Sequence, residues 1–538
     1  TNPDVIYYGG NVVFKTTDGG ETWTVISPDL TTNDPEKQKP SGGDITLDNT
    51  RAEFHSTILS IAESPRDANL IWAGTDDGNV QITRDGGKTW TNVAPNITGA
   101  PAFSWVASVQ ASNLDAGTAY VAIDQHRLDD FEPHAFMTTD YGRSWRRISD
   151  GLRGYAHIVM EDPKEPSLLY AGTELGVFAS FDRGASWTDL RLGLPPLAVV
   201  DMKVHPRDND LVMATHARGF YILDDLTPLQ QLARTIGAPV HLFPPMPATR
   251  YIPASDVSVI GNRAWTARNQ PYGALINYWL AEPLPAGQRI ALEIRDAGGR
   301  VVRTLDGTNR AGINRVVWNL GERSACEASP APGAQRGAAP PGGRGGRGGR
   351  GGGGAGGGGG TWVRAIPGTY HIRLTAGTQA VEQPLAIRSP ATVNATADDM
   401  AIWQREARTI ERTECAIDAA AGRVRSLDGQ LARLAESAPD AAVRAEAAAV
   451  RRELRPIVLG FVGDARDPGH VNLSGRINWL TIQVGNYSGR PTAAQMEWIA
   501  TYAAQTADLA QRLDAVERGA LARLNARLRA AGLAEVRD

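Results

Sequence analysis

An eight-residue phrase, Ser/Thr-x-Asp-x-Gly-x-x-Trp, occurs four times and restricts the fold more than any other feature of this chain. It runs from Thr16 to Trp23, Thr83 to Trp90, Thr138 to Trp145 and Ser180 to Trp187. Its aspartates, Asp18, Asp85, Asp140 and Asp182, are spaced 67, 55 and 42 residues apart. Self-similarity at such intervals marks an array of supersecondary units that bury their faces only against one another. The aspartate carboxylate can accept backbone N–H groups within a tight turn, replacing missing ladder bonds. Gly20, Gly87, Gly142 and Gly184 allow a positive φ. Trp23, Trp90, Trp145 and Trp187 would start an outer strand and pack into the blade core. A calcium loop needs several closely spaced oxygen ligands. The phrase shares only one carboxylate, so a structural turn is the expected reading.

A preamble precedes the later phrases. Ser64-Pro65-Arg66-Asp67 leads into Ala73-Gly74-Thr75, and Asp162-Pro163-Lys164 leads into Ala171-Gly172-Thr173. A fifth preamble, His205 to Thr215, ends at Gly219 to Asp225 without an aspartate phrase. Each unit reads as short apolar strands joined by polar and glycine turns, which suits radially stacked antiparallel blades. About five blades are expected in residues 1–226. The first opens inside a blade, so upstream blades are expected to complete a propeller.

Functional candidates lie where one unit departs from its siblings. The third inserts a charged loop, Asp124 to His134, and polar loops on rigid scaffolds commonly carry function. Asp76 and Asp77 follow a strand, as do Glu174, His216 and Arg218 in equivalent registers. If the registers match, these side chains ring one face or the central channel. Two carboxylates roughly 5 to 9 Å apart can hydrolyse a glycoside. Asp77 with Asp129 or Asp130 is the first choice of pair, and Glu174 is third. His126 and His216 are candidates to orient a ligand, and Arg127 and Arg218 to hold an anionic group. Against this, Asp76-Asp77-Gly78 also reads as a hairpin turn. His126, Asp129, Asp130 and His134 match no zinc spacing, so no metal and no cofactor is expected. The polar run beginning at Asn33 is a second candidate rim loop. No GxSxG, HExxH or dinucleotide fingerprint is present.

The repeated phrase resembles the Asp box of BNR-type propellers, found in sialidases, sortilin-like receptors and two-propeller glycoside hydrolases. Trp72 to Gly78, Leu128 to Phe131, Ala214 to Asp225 and Asn472 to Leu480 resemble bacterial proteins of the BNR-repeat glycosyl hydrolase or sortilin N-terminal group. In such families the Asp boxes lie at the blade periphery, away from catalytic centres. The resemblance implies a secreted or periplasmic protein that binds a peptide, protein or glycan on the propeller face. The alternative it offers is a glycoside hydrolase.

After the propeller, residues 227–250 read as an amphipathic segment and a Pro-rich linker. Residues 251–390 alternate like a β-sandwich, with strands around Ile276–Leu280, Ile290–Ile294, Val301–Leu305, Asn314–Leu320 and Gly368–Leu374. They resemble fibronectin type III or other Ig-like modules. Residues 323–361 are almost all Gly, Ala, Pro and Arg, a composition that cannot fund a core, so disorder is expected. From 394 to 538 the period becomes helical. A small antiparallel bundle is expected, with Ile477, Trp479, Leu480, Ile482, Val484, Tyr487, Met496, Trp498 and Ile499 in its core. Basic and acidic residues number 55 and 59, which gives no case for a nucleic-acid partner. No apolar run approaches the roughly 20 residues that span a bilayer, so no membrane insertion is expected. The two cysteines, Cys326 and Cys415, suggest no disulfide framework.

Overall fold

Each repeat builds an antiparallel sheet whose strands are neighbours in chain order. The first contains β1 (Ile6–Gly9), β2 (Val13–Thr16) and β3 (Thr24–Val25). The second contains β4 (Ile58–Ser64), β5 (Asp67–Thr75), β6 (Val80–Thr83) and β7 (Thr91–Asn92). The third contains β8 (Trp105–Ala111), β9 (Ala119–Asp124), β10 (His134–Thr138) and β11 (Arg146–Arg147). The fourth contains β12 (Ala156–Glu161), β13 (Leu169–Thr173), β14 (Gly176–Ser180) and β15 (Thr188–Asp189). The fifth contains β16 (Val199–Val204), β17 (Leu211–Thr215) and β18 (Gly219–Leu223). The computed structural model describes residues 2–40, 55–191, 193–252, 267, 269–324, 326, 363–464 and 472–537. The chain divides into two units, Thr1–Gly237 and Ala238–Asp538.

The aspartate phrases are turns joining the last two strands of the first four sheets. Asp182 is typical: Oδ1 accepts from Ser180 Oγ (2.7 Å) and Ser186 N (2.8 Å), and Oδ2 accepts from Ser186 Oγ (2.6 Å). Asp18, Asp85 and Asp140 repeat this pattern. The seventh position, left open in the phrase, is Thr22, Thr89, Ser144 or Ser186. Its hydroxyl is therefore part of the device. Gly20, Gly87, Gly142 and Gly184 all have φ between 80° and 103°. They are needed for space as well as for φ. A Cβ on Gly87 would lie 2.5 Å from Ile26 O of the preceding repeat, and one on Gly184 would lie 2.8 Å from Ile148 Cβ.

Three of the tryptophans differ from expectation: they pack between repeats. Trp90 Nε1 donates to Ile26 O (3.1 Å) and Trp187 Nε1 to Ile148 O (2.6 Å), each in the preceding repeat. Trp145 meets Trp72 of the preceding sheet edge-on at 6.1 Å. Trp23 is 44% exposed and contacts its own sheet through Tyr8. The indole reaches across because the outer strand it introduces is only two residues long and has little sheet face to cover.

A second seam runs through the middle of the array. Gly74 and Gly172 sit where a Cβ would come 2.4 Å from Val106 Cγ1 and 2.4 Å from Val199 O of the following sheet. Ala122 and Ala214 occupy the equivalent register. Small residues there let consecutive sheets close to contact. Each of β4, β8, β12 and β16 also carries a one-residue bulge near its start, at Leu59, Ala107, His157 and Val200.

Residues 227–250, expected as a linker, are shared out between the two units. Helix α1 (Thr227–Thr235) packs on the fourth and fifth sheets, with Gln230 Nε2 donating to Asp162 Oδ2 (3.0 Å) and Asn209 Oδ1 (3.0 Å). Strands β19 (Val240–Leu242) and β20 (Ala248–Thr249) join sheets of the second unit. Its other strands are β21 (Ala274–Leu280), β22 (Ile290–Arg295), β23 (Val301–Asp306), β24 (Gly312–Trp318), β25 (Gly368–Ala376) and β26 (Gln379–Arg388). They form one sheet ordered β19-β21-β24 and another ordered β20-β26-β25-β22-β23. Ile276, Tyr278, Trp318, Leu292, Ile372 and Leu385 share the core between them. The disorder expected for the Gly/Arg-rich insertion falls mostly outside the described residues.

The helices are α2 (Ala397–Ser437), α3 (Ala441–Val462), α4 (Leu473–Gly485), α5 (Ala493–Val516) and α6 (Ala522–Ala530). Thr492 and Gln495 form a reciprocal capping box at the start of α5. Ile477, Leu480, Val484 and Ile499 are buried as expected, but Trp479, Ile482, Tyr487 and Trp498 are about half exposed. In α4 the buried set repeats every three to four residues, so Trp479 and Ile482 fall on the opposite face.

The cysteines correct the reading that no disulfide forms: Cys326 is bonded to Cys415, with Cα atoms 5.3 Å apart. Glu322 explains the encounter. It takes hydrogen bonds from Gln404 and Arg408 of α2, and Cys415 lies two turns further along the same helix face. Seven helical residues advance ~10.5 Å. Four extended residues reach up to about 13–14 Å, enough to bring Cys326 alongside.

Three measurements test these assignments. Gly172→Ala is expected to cost about 1–3 kcal/mol by overpacking, while Gly237→Ala, whose Cβ meets nothing within 4 Å, leaves the melting temperature unchanged. Asp182→Ala is expected to lower the midpoint by roughly 2–6 °C near neutral pH. Burial works against ionisation of Asp182, but the Ser186 and Ser180 hydroxyls outweigh it and hold the carboxyl below its ordinary range. A depressed carboxylate stabilises the fold above its unfolded value and loses that contribution as pH falls through the folded one. The gap between Asp182→Ala and the parent should therefore shrink on acidification from pH 5 downward. Cys326→Ser is expected to destabilise the second unit by about 2–4 kcal/mol, read as a midpoint that no longer responds to reductant.

Candidate functional site

The bulges bring one register position of four sheets into correspondence. Asp76, Asp124, Glu174 and His216 each follow or end the second strand of a four-strand pattern, opposite Thr57, Trp105, Tyr155 and Ala198. The amides of Asp76, Glu174 and His216 donate to the carbonyls of Thr57 (2.9 Å), Tyr155 (3.1 Å) and Ala198 (3.0 Å). Four ionisable side chains thus line one end of successive sheets, while the aspartate turns lie at the other. Asp124, read as the first residue of the inserted loop, was not placed in this register because its strand ends Ala122-Ile123 where two siblings have Gly-Thr.

The richest part of this row lies between the third and fourth sheets. His126 Nδ1 meets Asp124 Oδ1 at 2.6 Å, and the same oxygen accepts from His126 N (3.0 Å). The His126 ring stacks on Tyr155 with centroids 4.6 Å apart and planes at 19°. Phe131, 58% exposed, lies 6.3 Å from the Tyr155 ring with planes tilted by 55°. His157, released from strand alternation by its bulge, meets Tyr155 edge-on and Glu174 Oε2 at 3.2 Å. Burial and then the Glu174 carboxylate push the Tyr155 phenol up to about 12. Arg127 lies 3.5 Å over the Trp105 ring. Buried Gln125 anchors the loop by donating to Ser104 Oγ (2.9 Å). The result is a cluster of rings, His126, Phe131, Tyr155 and His157, bordered by the Asp124 and Glu174 carboxylates.

The expected residues are divided by the structure. His126, Arg127 and Glu174 belong to this surface. His216 and Arg218 sit in an exposed turn one sheet further on. Asp77 is buried and spent: Oδ2 accepts from Thr32 N (2.7 Å) and Thr32 Oγ1 (2.8 Å), and Oδ1 from Thr75 Oγ1 (2.5 Å). Asp129 occupies a left-handed turn position at φ 65°. Asp130 Oδ2 meets His134 Nε2 at 2.8 Å. Burial opposes its ionisation, but the Glu132 amide and His134 hold it below the usual carboxylate range. Among the described residues, no hydrogen bond or ion pair joins Asp77 to Asp129 or Asp130. Trp105, Tyr155 and His157 were also missed. Their signal was position alone, at the start of an inner strand.

One mixed donor set could hold a cation: His55, Asp76 and Asp77 place ligand atoms within 4.8 Å of one another. Burial raises Asp76 above its ordinary value. The set fits a metal poorly, because threonine donors already occupy both Asp77 oxygens. His126, Asp129, Asp130 and His134 do not converge; the two histidines pair with Asp124 and Asp130 separately. No described helix is long and apolar enough to cross a membrane.

No protein-family profile matches the chain. A xyloglucanase of Hypocrea jecorina (strain QM6a) is 26% identical over 203 residues, covering 34% of this chain and 23% of that enzyme. The chain therefore spans about a quarter of that relative. Among solved structures, the GH74 xyloglucanase of Xanthomonas campestris is 16% identical, with a TM-score of 0.32, covering 42% of this chain and 35% of its own. YCF48 bound to D1 peptide is 17% identical with a TM-score of 0.27, covering 41% of this chain and 62% of its own.

Proposed function

We propose that the repeated sheets are blades of a BNR-type β-propeller that binds a glycan, without catalysis, at the sheet end bearing Asp124, Glu174 and His216. The observation that carries this reading is the Trp105, His126, Tyr155 and Phe131 surface, with polar groups at its edge. Flat rings beside hydrogen-bonding side chains suit a ligand with apolar faces and many hydroxyls. Sequence similarity to a xyloglucanase supports the same ligand class. Hydrolysis by Asp77 is disfavoured because its carboxylate is buried and fully engaged. The Cys326–Cys415 bond supports a secreted or periplasmic setting, since disulfides persist in oxidising compartments.

Calorimetry with xyloglucan oligosaccharides tests the proposal. Tyr155→Ala and Trp105→Ala should each weaken binding about tenfold, measured below each variant's own melting midpoint. Asp77→Asn should instead lower stability and leave affinity in place. Release of reducing ends that disappears in Glu174→Gln would replace this reading with a glycoside hydrolase. Binding of an extended peptide but of no glycan would replace the ligand class.

A further inference from the structure

The inner strands of four sheets, β4, β8, β12 and β16, end beside one cavity of the first unit. Glu63 of β4, Gln110 of β8, Glu161 of β12 and Lys203 of β16 stand in its wall. Its volume, about 310 Å3, lies at the low end of the ~300–1,000 Å3 range of small-molecule sites. The ring cluster around Tyr155 is a different place, where the inner strands begin. From Trp105 to Gln110, and from Tyr155 to Glu161, the strands advance roughly 15–20 Å at ~3.3 Å per residue. The cavity therefore opens at the end of the sheets that carries the aspartate turns.

The charges in this wall are not paired with one another. Lys203, on the fifth sheet, donates from Nζ to Gln110 Oε1 of the third in a long hydrogen bond of 3.3 Å. An ammonium carries three donors, and among the described residues Lys203 makes no ion pair. Glu63, on the second sheet, is half-buried and lies beside the Tyr7 hydroxyl. Burial and then the Glu63 carboxylate push that phenol up to about 12. Glu63 likewise makes no ion pair among the described residues. Glu161, 3% exposed, is by contrast committed. Its Oε2 accepts from Ser112 Oγ (2.5 Å) and Asn113 N (3.1 Å), and its Oε1 from Tyr120 OH (3.0 Å). One cation and one anion are thus left to meet a ligand. A ligand bearing a single charge would find a like charge in the same wall, whereas a ligand bearing both finds a partner for each.

We propose that this cavity binds a compact zwitterion of the amino-acid class, its carboxylate on Lys203 and its ammonium on Glu63. The site does not depend on glycan binding at the other end of the sheets. Thermal shift and calorimetry on the full chain test it. L-serine and γ-aminobutyrate serve as zwitterions of short and longer charge spacing, and glycerate and ethanolamine as controls with one charge each. At least one zwitterion should raise the midpoint and bind about tenfold or more tighter than either control. Glu63→Gln and Lys203→Met should each weaken that zwitterion about tenfold or more, measured below each variant's own melting midpoint. Lys203 is exposed, so Lys203→Met carries the test should Glu63→Gln fail to fold. No response to either zwitterion, glycerate or ethanolamine binding as tightly as the zwitterion, or unchanged affinity in a folded variant would overturn the proposal.

Discussion

The first unit depends on how closely one sheet can approach the next. At the periphery, a charged carboxylate gathers a turn tightly enough for a glycine to rest on the preceding repeat, where a Cβ on Gly87 or Gly184 has no room. Further in, Gly74 and Gly172 leave space for the valines and backbone of the following sheet. The buried face of each sheet, including fully buried Trp72, Tyr120 and Tyr170, is then covered by its neighbours rather than by a separate layer. The aspartate turn is thus a spacing device, and its hydrogen bonds matter through the packing they permit.

The candidate site follows from the same geometry. Peripheral turns define one end of the sheets, which leaves the hairpins between the second and third strands at the other. There Asp76, Asp124, Glu174 and His216 fall into one row. The third repeat alone extends this hairpin into a loop, and Gln125 fixes the loop against Ser104. His126 and Phe131 are thereby carried onto Tyr155 of the next sheet.

Much of this was legible in the sequence, for identifiable reasons. Period and turn chemistry are local, so the repeats and the helices could be read directly. The shared register of Asp76, Glu174 and His216 was also visible, because Thr75, Thr173 and Thr215 precede them alike. What escaped depends on contacts between distant segments. Tyr155 and Trp105 look like ordinary strand residues until neighbouring sheets are aligned. Asp77 looked available because its partner, Thr32, is 45 residues away. The Cys326–Cys415 bond spans 89 residues and required knowing that Glu322 docks on α2. The exposed Trp479 and Trp498 were misassigned because apolar content was counted without resolving the helical face.

The bulge in each inner strand has an evolutionary consequence. A residue set outside the ladder is not bound by the in-and-out alternation of its neighbours, so its identity can change without disturbing a pairing register. The four sheets hold Leu59, Ala107, His157 and Val200 at this place, a histidine in one and apolar side chains in the others. The array therefore carries a set of interchangeable slots on an otherwise constrained frame. Side chains at this place can be changed one repeat at a time while the seams between sheets stay the same.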